Sequence, residues 1–360
     1  MNLQNLLSRS QIIKSIRRFF DERGYTEIHT PRLVGLPGQE PHLEPMWTTV
    51  KVLSSGNWEL GTGNCELPAA LITSPEYAMK RLLAAGMDKI YDLGSCFRNN
   101  EPWDGTHDPE FLMLEWYRKN LTAEASAKAG ADLFLLMDET EEMIRFVCHS
   151  RAGGNPEWAQ APFRRISVED AWREYLGVEL TPLLDDLEGM KKLAVSLGQT
   201  VDEYDSWDDL YFKIFLTHIE PKICPSDPNH ELRTTNYQPT FLYRYPASMA
   251  ALARRSADDP RYAERVELYV GGLELANGFV ELADAEEQRK RFEAEQALRQ
   301  KLGKKTWPLD EKFLADLPMM GNAVGVAFGV DRLAMLLTGA KSINDVVSFS
   351  ARERFVSRTE

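Results

Sequence analysis

The chain is poor in cysteine and has no long apolar run. Its four cysteines, Cys65, Cys96, Cys148 and Cys224, lie far apart and form no CxxC pair. That spacing argues against a structural zinc site and against a disulfide framework, and leaves four reduced, mostly buried thiols. No segment is apolar enough to span a bilayer, and the N-terminus lacks a basic-then-apolar leader. These absences predict a cytoplasmic protein that stays away from membranes. Long basic runs are missing too, and the formal net charge is −13. Nucleic acid is thereby disfavoured as the main partner, although an acidic body can still carry one basic face. There is no GxxxxGK[ST] phosphate loop, no HExxH and no GxSxG. His29, His42, His149, His218 and His230 show no ligand-like spacing and read as structural or surface residues. Internal repeats, heptads and low-complexity tails are also absent.

What remains is an ordinary core-forming composition, 43% hydrophobic and 27% charged over 360 residues. Ile12, Ile13, Ile16, Phe19 and Phe20 recur at the helical period, and Gly24 is placed to end that helix. Tyr25 to Pro31 then reads as extended. Residues 35–68 read as loops around short strands, and Leu71 to Leu83 as a turn entering a helix, with Ser74 at its N-cap and Pro75 at its first position. Residues 121–150 and 167–222 read as mainly helical, with Ser167 and Asp170 marking one helix start. Phe241–Tyr245, Val266–Val270 and Leu273–Phe279 read as strands, the last two joined by a Gly271-Gly272 hairpin turn. Ala285 to Leu302 is a charged helix anchored by Phe292. Strands, then inserted helices, then strands again predict an α+β fold on an antiparallel sheet. The chain reads as one domain over residues 1–360, with a helical insertion at about 121–222.

Three segments carry candidate chemistry. The first is FRNNEPWDGTHDPEFLMLEWY, Phe97 to Tyr117, a hairpin of Asp92–Cys96 with Phe111–Tyr117. Alternation puts Phe111, Met113, Glu115 and Tyr117 on one face. A carboxylate on such an apolar strand is costly unless paired, either by a structural arginine or by a bound ammonium. Spacing alone favours the arginine. Arg98 opens the loop, and its planar fork matches two phosphate oxygens. The second segment is GVAFGVDRL, Gly325 to Leu333. Val324, Val326, Phe328 and Val330 give it one bulky face. Gly325, Ala327 and Gly329 give it one bare face, on which a ligand can lie against the backbone. Arg332 then falls in the first turn of a helix, where it opposes the dipole unless an anion is bound. The third is Glu274 to Glu281. An unbroken strand would put its two end glutamates on opposite faces, and a bulge at Asn277-Gly278 would bring them together. Convergent, they would suit Mg²⁺ shared with phosphates; otherwise they are two exposed glutamates.

In this order the segments resemble the three signature motifs of class II aminoacyl-tRNA synthetases, in the lysyl branch. Phe19 to Pro31 resembles motif 1, which implies a homodimer; Phe97 to Tyr117 resembles motif 2 and Gly325 to Leu333 motif 3. TSPEYAMKRLL from Thr73 and GLELANGFVEL from Gly272 are similar to that branch as well, and the likeness covers about residues 6–350. The chain starts at the motif 1 helix, so the resemblance is read without the OB-fold that would bind an anticodon. Ala327 stands where the branch usually has glycine. Both features are similar to the truncated paralogues that attach lysine, preferentially (R)-β-lysine, to a lysine side chain of translation elongation factor P. The resemblance implies ATP and Mg²⁺ as cofactors, elongation factor P rather than tRNA as the acceptor, and an adenylate intermediate.

It also implies roles. Arg98 would hold the α-phosphate and Arg332 the γ-phosphate, with Glu274 and Glu281 on Mg²⁺. His107 and Phe111 would frame ATP, with Glu101, or Asn100 in its stead, following the motif 2 arginine. Ser74 and Glu76 would meet the amino acid, Glu115 and Tyr117 its ammonium end, Asn277 its carboxylate, and Glu281 the amino acid as well. Ala327 would shape the pocket. Asp108 replaces the asparagine usual in the HNPEF sequence, and the loop before it is longer than usual. Two other readings compete: a lysine–tRNA ligase without an anticodon domain, and a non-catalytic synthetase-like regulator.

Overall fold

The computed structural model describes residues 2–52, 65–119, 130–150, 155–223, 225 and 238–356. The first helix, α1 (Leu3–Glu22), buries the stripe Ile12, Ile16, Phe19 and Phe20 and is capped by Asn2, whose side chain accepts from the Asn5 amide. Gly24 follows at φ 72°, the left-handed position that glycine tolerates best. The extended segment after it yields only a two-residue strand, β1 (Thr26–Glu27).

A small sheet follows, β2 (Leu33–Val34), β3 (Met46–Val52) and β4 (Cys65–Leu71), in the order β2-β4-β3. Helix α2 (Glu76–Ala84) starts one residue later than Ser74 and Pro75 suggest, with Pro75 itself at the cap. Ser74 still serves the helix start, since its hydroxyl accepts from the Glu76 amide at 3.0 Å.

The main sheet has eight strands. Its centre is β5 (Lys89–Phe97), β6 (Glu110–Lys119), β9 (Tyr262–Val270), β10 (Leu273–Val280) and β11 (Ala323–Gly329), flanked by β8 (Thr240–Pro246) and β7 (Arg164–Ser167). The order is β1-β5-β6-β11-β10-β9-β8-β7. Six strands run antiparallel as expected, but both edges are parallel additions: β1 beside β5 and β7 beside β8. Gly271 and Gly272 join β9 to β10 at φ 58° and 81°, the geometry of a tight hairpin turn.

Helices α1, α3 (Ala131–His149) and α10 (Val330–Thr338) cover one face of this sheet. Leu114, Trp116, Val324, Val326 and Phe328 point into that core, as alternation requires. Between α3 and α10 in the chain come α4 (Val168–Leu176), α5 (Leu187–Ser196), α6 (Trp207–Ile214) and, after a π-helical turn over Phe215–Ile219, α7 (Glu220–Ile223). These helices have their own apolar cluster, around Trp172, Leu210, Tyr211 and Phe215. It reaches the sheet at Leu242, Tyr245 and Tyr269, so the insertion packs against one sheet edge. Helix α8 (Ala285–Lys301) is anchored by Phe292, and α9 (Glu311–Met320) packs on α2. A short α11 (Ala351–Phe355) ends the described chain. Cys65, Cys96 and Cys148 form no disulfide, and Cys224 lies outside the described residues. No described helix is long and apolar enough to cross a membrane.

Candidate active site

The opposite face of the sheet carries the site. Register fixes who shares it, because directly paired residues point the same way. Tyr117 pairs with Gly325 and Glu115 with Ala327; Ala327 in turn pairs with Asn277, and Asn277 with Glu267. Four strands thus present one row of polar groups over a bare strip of small residues. The strip is needed. A Cβ on Gly325 would fall 2.1 Å from the edge of the Tyr117 ring and 2.7 Å from Glu281 Oε1.

Above this row opens a cavity of about 880 Å³, within the range of small-molecule sites. Arg98, Glu101, His107, Phe111, Glu274, Asn277, Ala327 and Arg332 all line it. The two arginines expected to grip one anion therefore face one space. Arg332 lies in the first turn of α10 and is fixed from both sides. Its Nη1 donates to the Glu274 carbonyl at 2.8 Å, and its Nη2 lies 3.0 Å from His107 Nε2. That contact makes Nε2 the acceptor, and Nδ1 then faces Asp104 at 3.1 Å. Arg98 stacks on Phe111, its guanidinium carbon 5.1 Å from the ring centroid, and its buried Nε has no partner. An unsatisfied guanidinium N–H in a cavity is what an anionic oxygen would satisfy.

Glu101, not Asn100, is the loop residue that reaches the cavity. Asn100 is exposed with φ 59°, at the outer turn of the loop, which removes it from the ATP-facing set. A second correction concerns the carboxylates of β10. The bulge lies between Glu274 and Ala276, three residues before Gly278, and it does place Glu274 and Glu281 on one face. Yet the two stand at opposite ends of the strand, roughly 20 Å apart at about 3.3 Å per residue. Neither is a solvated surface glutamate, and they do not converge on one ion. Glu274 stays beside the arginines. No hydrogen bond or ion pair reaches its carboxylate among the described residues, and burial with Glu267 nearby pushes it up to about 7. A divalent cation shared with phosphate would relieve that environment, so Glu274 fits Mg²⁺ while the pair does not.

Glu281 belongs to an acidic floor at the other end. Lys80, 1% exposed, bridges Glu76 at 2.5 Å and Glu281 at 2.6 Å. Beside them Ser74 donates to Glu115 Oε1 at 2.5 Å, and the Tyr117 hydroxyl donates to Oε2 at 3.0 Å. Among the described residues no arginine pairs with Glu115, against what spacing favoured. Burial and the charge of Glu76 push Glu115 up to about 8, and burial pushes Glu281 up to about 8 as well. Five buried or half-buried carboxylates, Glu40, Glu76, Glu115, Glu281 and Glu295, act on one another here, with Lys80 the buried cation among them. Such a floor calls for a further positive charge.

Several lining groups carry no local signal in the sequence. Arg265 bonds Asn277 Oδ1 at 3.2 Å and is paired with Glu267, which Tyr245 and Tyr269 also hold. Glu40 and Glu295 line the wall, and Asp208 and Phe212 from the helical insertion close one side. His42, without a role by spacing, stands at the mouth.

A sheet of this order, with a hairpin arginine and a helix-start arginine facing one cavity, defines a class II synthetase catalytic domain. The chain belongs to that family: the model for class II tRNA synthetases (D, K and N) matches residues 1–353. More particularly, it is 38% identical over 352 residues to the elongation factor P–(R)-β-lysine ligase of Proteus mirabilis, covering 97% of this chain and 95% of that one. The proteins of the same name from Photorhabdus laumondii and Salmonella paratyphi B are 37% and 36% identical. They match 97% of this chain and 95% of their own length.

Proposed function

We propose that the chain activates lysine or (R)-β-lysine with ATP and transfers the acyl group to a lysine side chain of elongation factor P. Two observations support this reading: the two arginines face one cavity with Glu40 and Glu295 on its wall, and relatives matched over 95% of their length are named for that activity. In the first step a carboxylate oxygen of the amino acid attacks the α-phosphorus. The bond to the β-phosphate bridging oxygen breaks, and pyrophosphate leaves. The enzyme's part is positioning and charge neutralisation. Arg98 would sit on the α-phosphate, and Arg332, held by Glu274 and His107, on the γ-phosphate. Glu101 and Phe111 would border the nucleotide. Mg²⁺, when bound by Glu274, would neutralise phosphate charge. Ser74, Glu76, Glu115, Tyr117 and Glu281 would receive the amino groups, Asn277 would orient the carboxylate, and Ala327 would bound the pocket between. In the second step a neutral acceptor amine attacks the acyl carbon, AMP leaves, and an amide remains.

We also propose that the protein is cytoplasmic and a homodimer through its motif 1 region, Phe19 to Pro31. The test is lysine-dependent exchange of pyrophosphate into ATP. Arg332→Ala should lower it by roughly 10²–10³-fold, the cost of one transition-state donor; near-normal exchange in that variant would overturn the assignment.

A further inference from the structure

The loop between β5 and β6 carries Glu101 and His107 into the cavity, yet it is long and polar. Its own contacts do not explain why it holds one shape. At its base the Arg98 amide donates to the Pro109 carbonyl at 3.0 Å, and near its tip Asp104 accepts from Thr106. The Asn99 amide also donates to the Glu44 carbonyl at 2.7 Å, and the contacts beyond that come largely from the far end of the chain. The Ile343 amide donates to the Gly105 carbonyl at 2.7 Å. Arg352 Nη2 donates to the Trp103 carbonyl at 3.2 Å. The Ala351 amide donates to Asp108 Oδ2 at 2.9 Å. Arg354 forks across the loop exit, with Nη1 on Glu110 Oε2 at 2.7 Å and Nη2 on Asp108 Oδ1.

Asp108 is the pivot. Its side chain is 1% exposed, it follows His107 directly, and it accepts from Arg354 and from the Ala351 and Glu110 amides. Its carboxylate, unusual at this position by resemblance, is matched by a guanidinium 246 residues away. A buried carboxylate with one cation and several N–H donors is held in one orientation. His107, one residue before, contacts Arg332, so the path from Arg354 to the triphosphate seat is Asp108, His107, Arg332.

We propose that residues 342–355 brace the ATP loop, with Arg354 as its positioning residue: it touches no substrate and sets the placement of His107 and Glu101. The inference rests on the proposed use of ATP at this site. Loss of the brace frees the loop, and ATP must then order it on binding, a cost paid in affinity.

The test is ATP–pyrophosphate exchange on the full chain, with KM taken separately for ATP and lysine, and calorimetric titration of ATP. Arg354→Ala should raise the KM and Kd for ATP about tenfold, one pair's worth of ordering, with the lysine KM nearly unchanged, while the unfolding midpoint falls because Asp108 loses its buried cation. Arg354→Lys, keeping the charge without the fork, should recover part of the loss, and Asp108→Asn should shift ATP in the same direction. An unchanged ATP KM in Arg354→Ala would overturn the brace. So would equal rises in both KM values with no recovery in Arg354→Lys, which is the pattern of a merely structural pair. If Arg354→Ala does not fold, the lysine and asparagine variants decide alone. Wild-type protein that neither binds ATP nor exchanges pyrophosphate would instead sink the functional reading.

Discussion

Replacing Glu115 by glutamine should make the protein more stable and poorer at taking lysine. Glu115 is 1% exposed on β6, with Ser74 and Tyr117 as its hydrogen-bond partners and, among the described residues, no cation paired with it. Burial lifts it from 4.5 to about 8. In the folded chain it therefore keeps its proton at pH values where the unfolded chain has released it. The folded state binds more protons between those two values, so this group lowers stability as pH rises from about 4.5 to about 8, and the loss is complete above that. The full cost of the charged form is on the order of 3–5 kcal/mol. Glutamine removes the charge and keeps the shape, and its amide can serve the same two hydroxyls. For a chain this long, recovering that cost raises the unfolding midpoint by roughly 4–6 °C. Thermal unfolding of both proteins should show Glu115→Gln ahead by that margin at pH 9 and nearly level with wild type at pH 5. The same variant should lose roughly 10²–10³-fold in kcat/KM for lysine, since an ammonium would then lose the carboxylate that no cation pairs among the described residues. Equal or lower stability of Glu115→Gln at pH 9, or unaltered use of lysine, would refute the reasoning.

Other outcomes follow from the bare strip and its neighbour. Gly325→Ala drives a methyl into the Tyr117 ring and toward Glu281. It should cost about 1–3 kcal/mol of stability, seen in denaturant unfolding, and raise the KM for lysine far more than that for ATP. Ala327→Gly removes one methyl between Glu115 and Asn277 in the register. It should change the ratio of kcat/KM for lysine and β-lysine by no more than about 200-fold, the reach of a single methyl.

Where alternation ruled, the sequence was legible. The faces of β6 and β11 follow from period two, because one face meets the helices and the other the cavity. The Gly271-Gly272 turn was readable because its two positive φ values demand such residues. The bulge on β10 was not: it falls at Leu275, an ordinary strand residue buried with the core, while Asn277-Gly278 only looks like one. Glu281 carries no local mark of its partner Lys80, since that pairing depends on how α2 packs beside the sheet. Arg265 and Glu267 alternate on β9 like any half-buried pair, and only cross-strand register shows that they stand beside Asn277. The pairing of Asp108 with Arg354 joins residues 246 apart in the chain, and nothing near either residue announces it.

The most direct measurement gives the protein ATP and radiolabelled lysine or (R)-β-lysine, with elongation factor P and lysine-specific tRNA offered together. The account predicts acid-stable label on elongation factor P, dependent on ATP and lost when the acceptor lysine is replaced by arginine. Label appearing on tRNA alone, or on neither acceptor although the protein is folded and binds ATP, would contradict it.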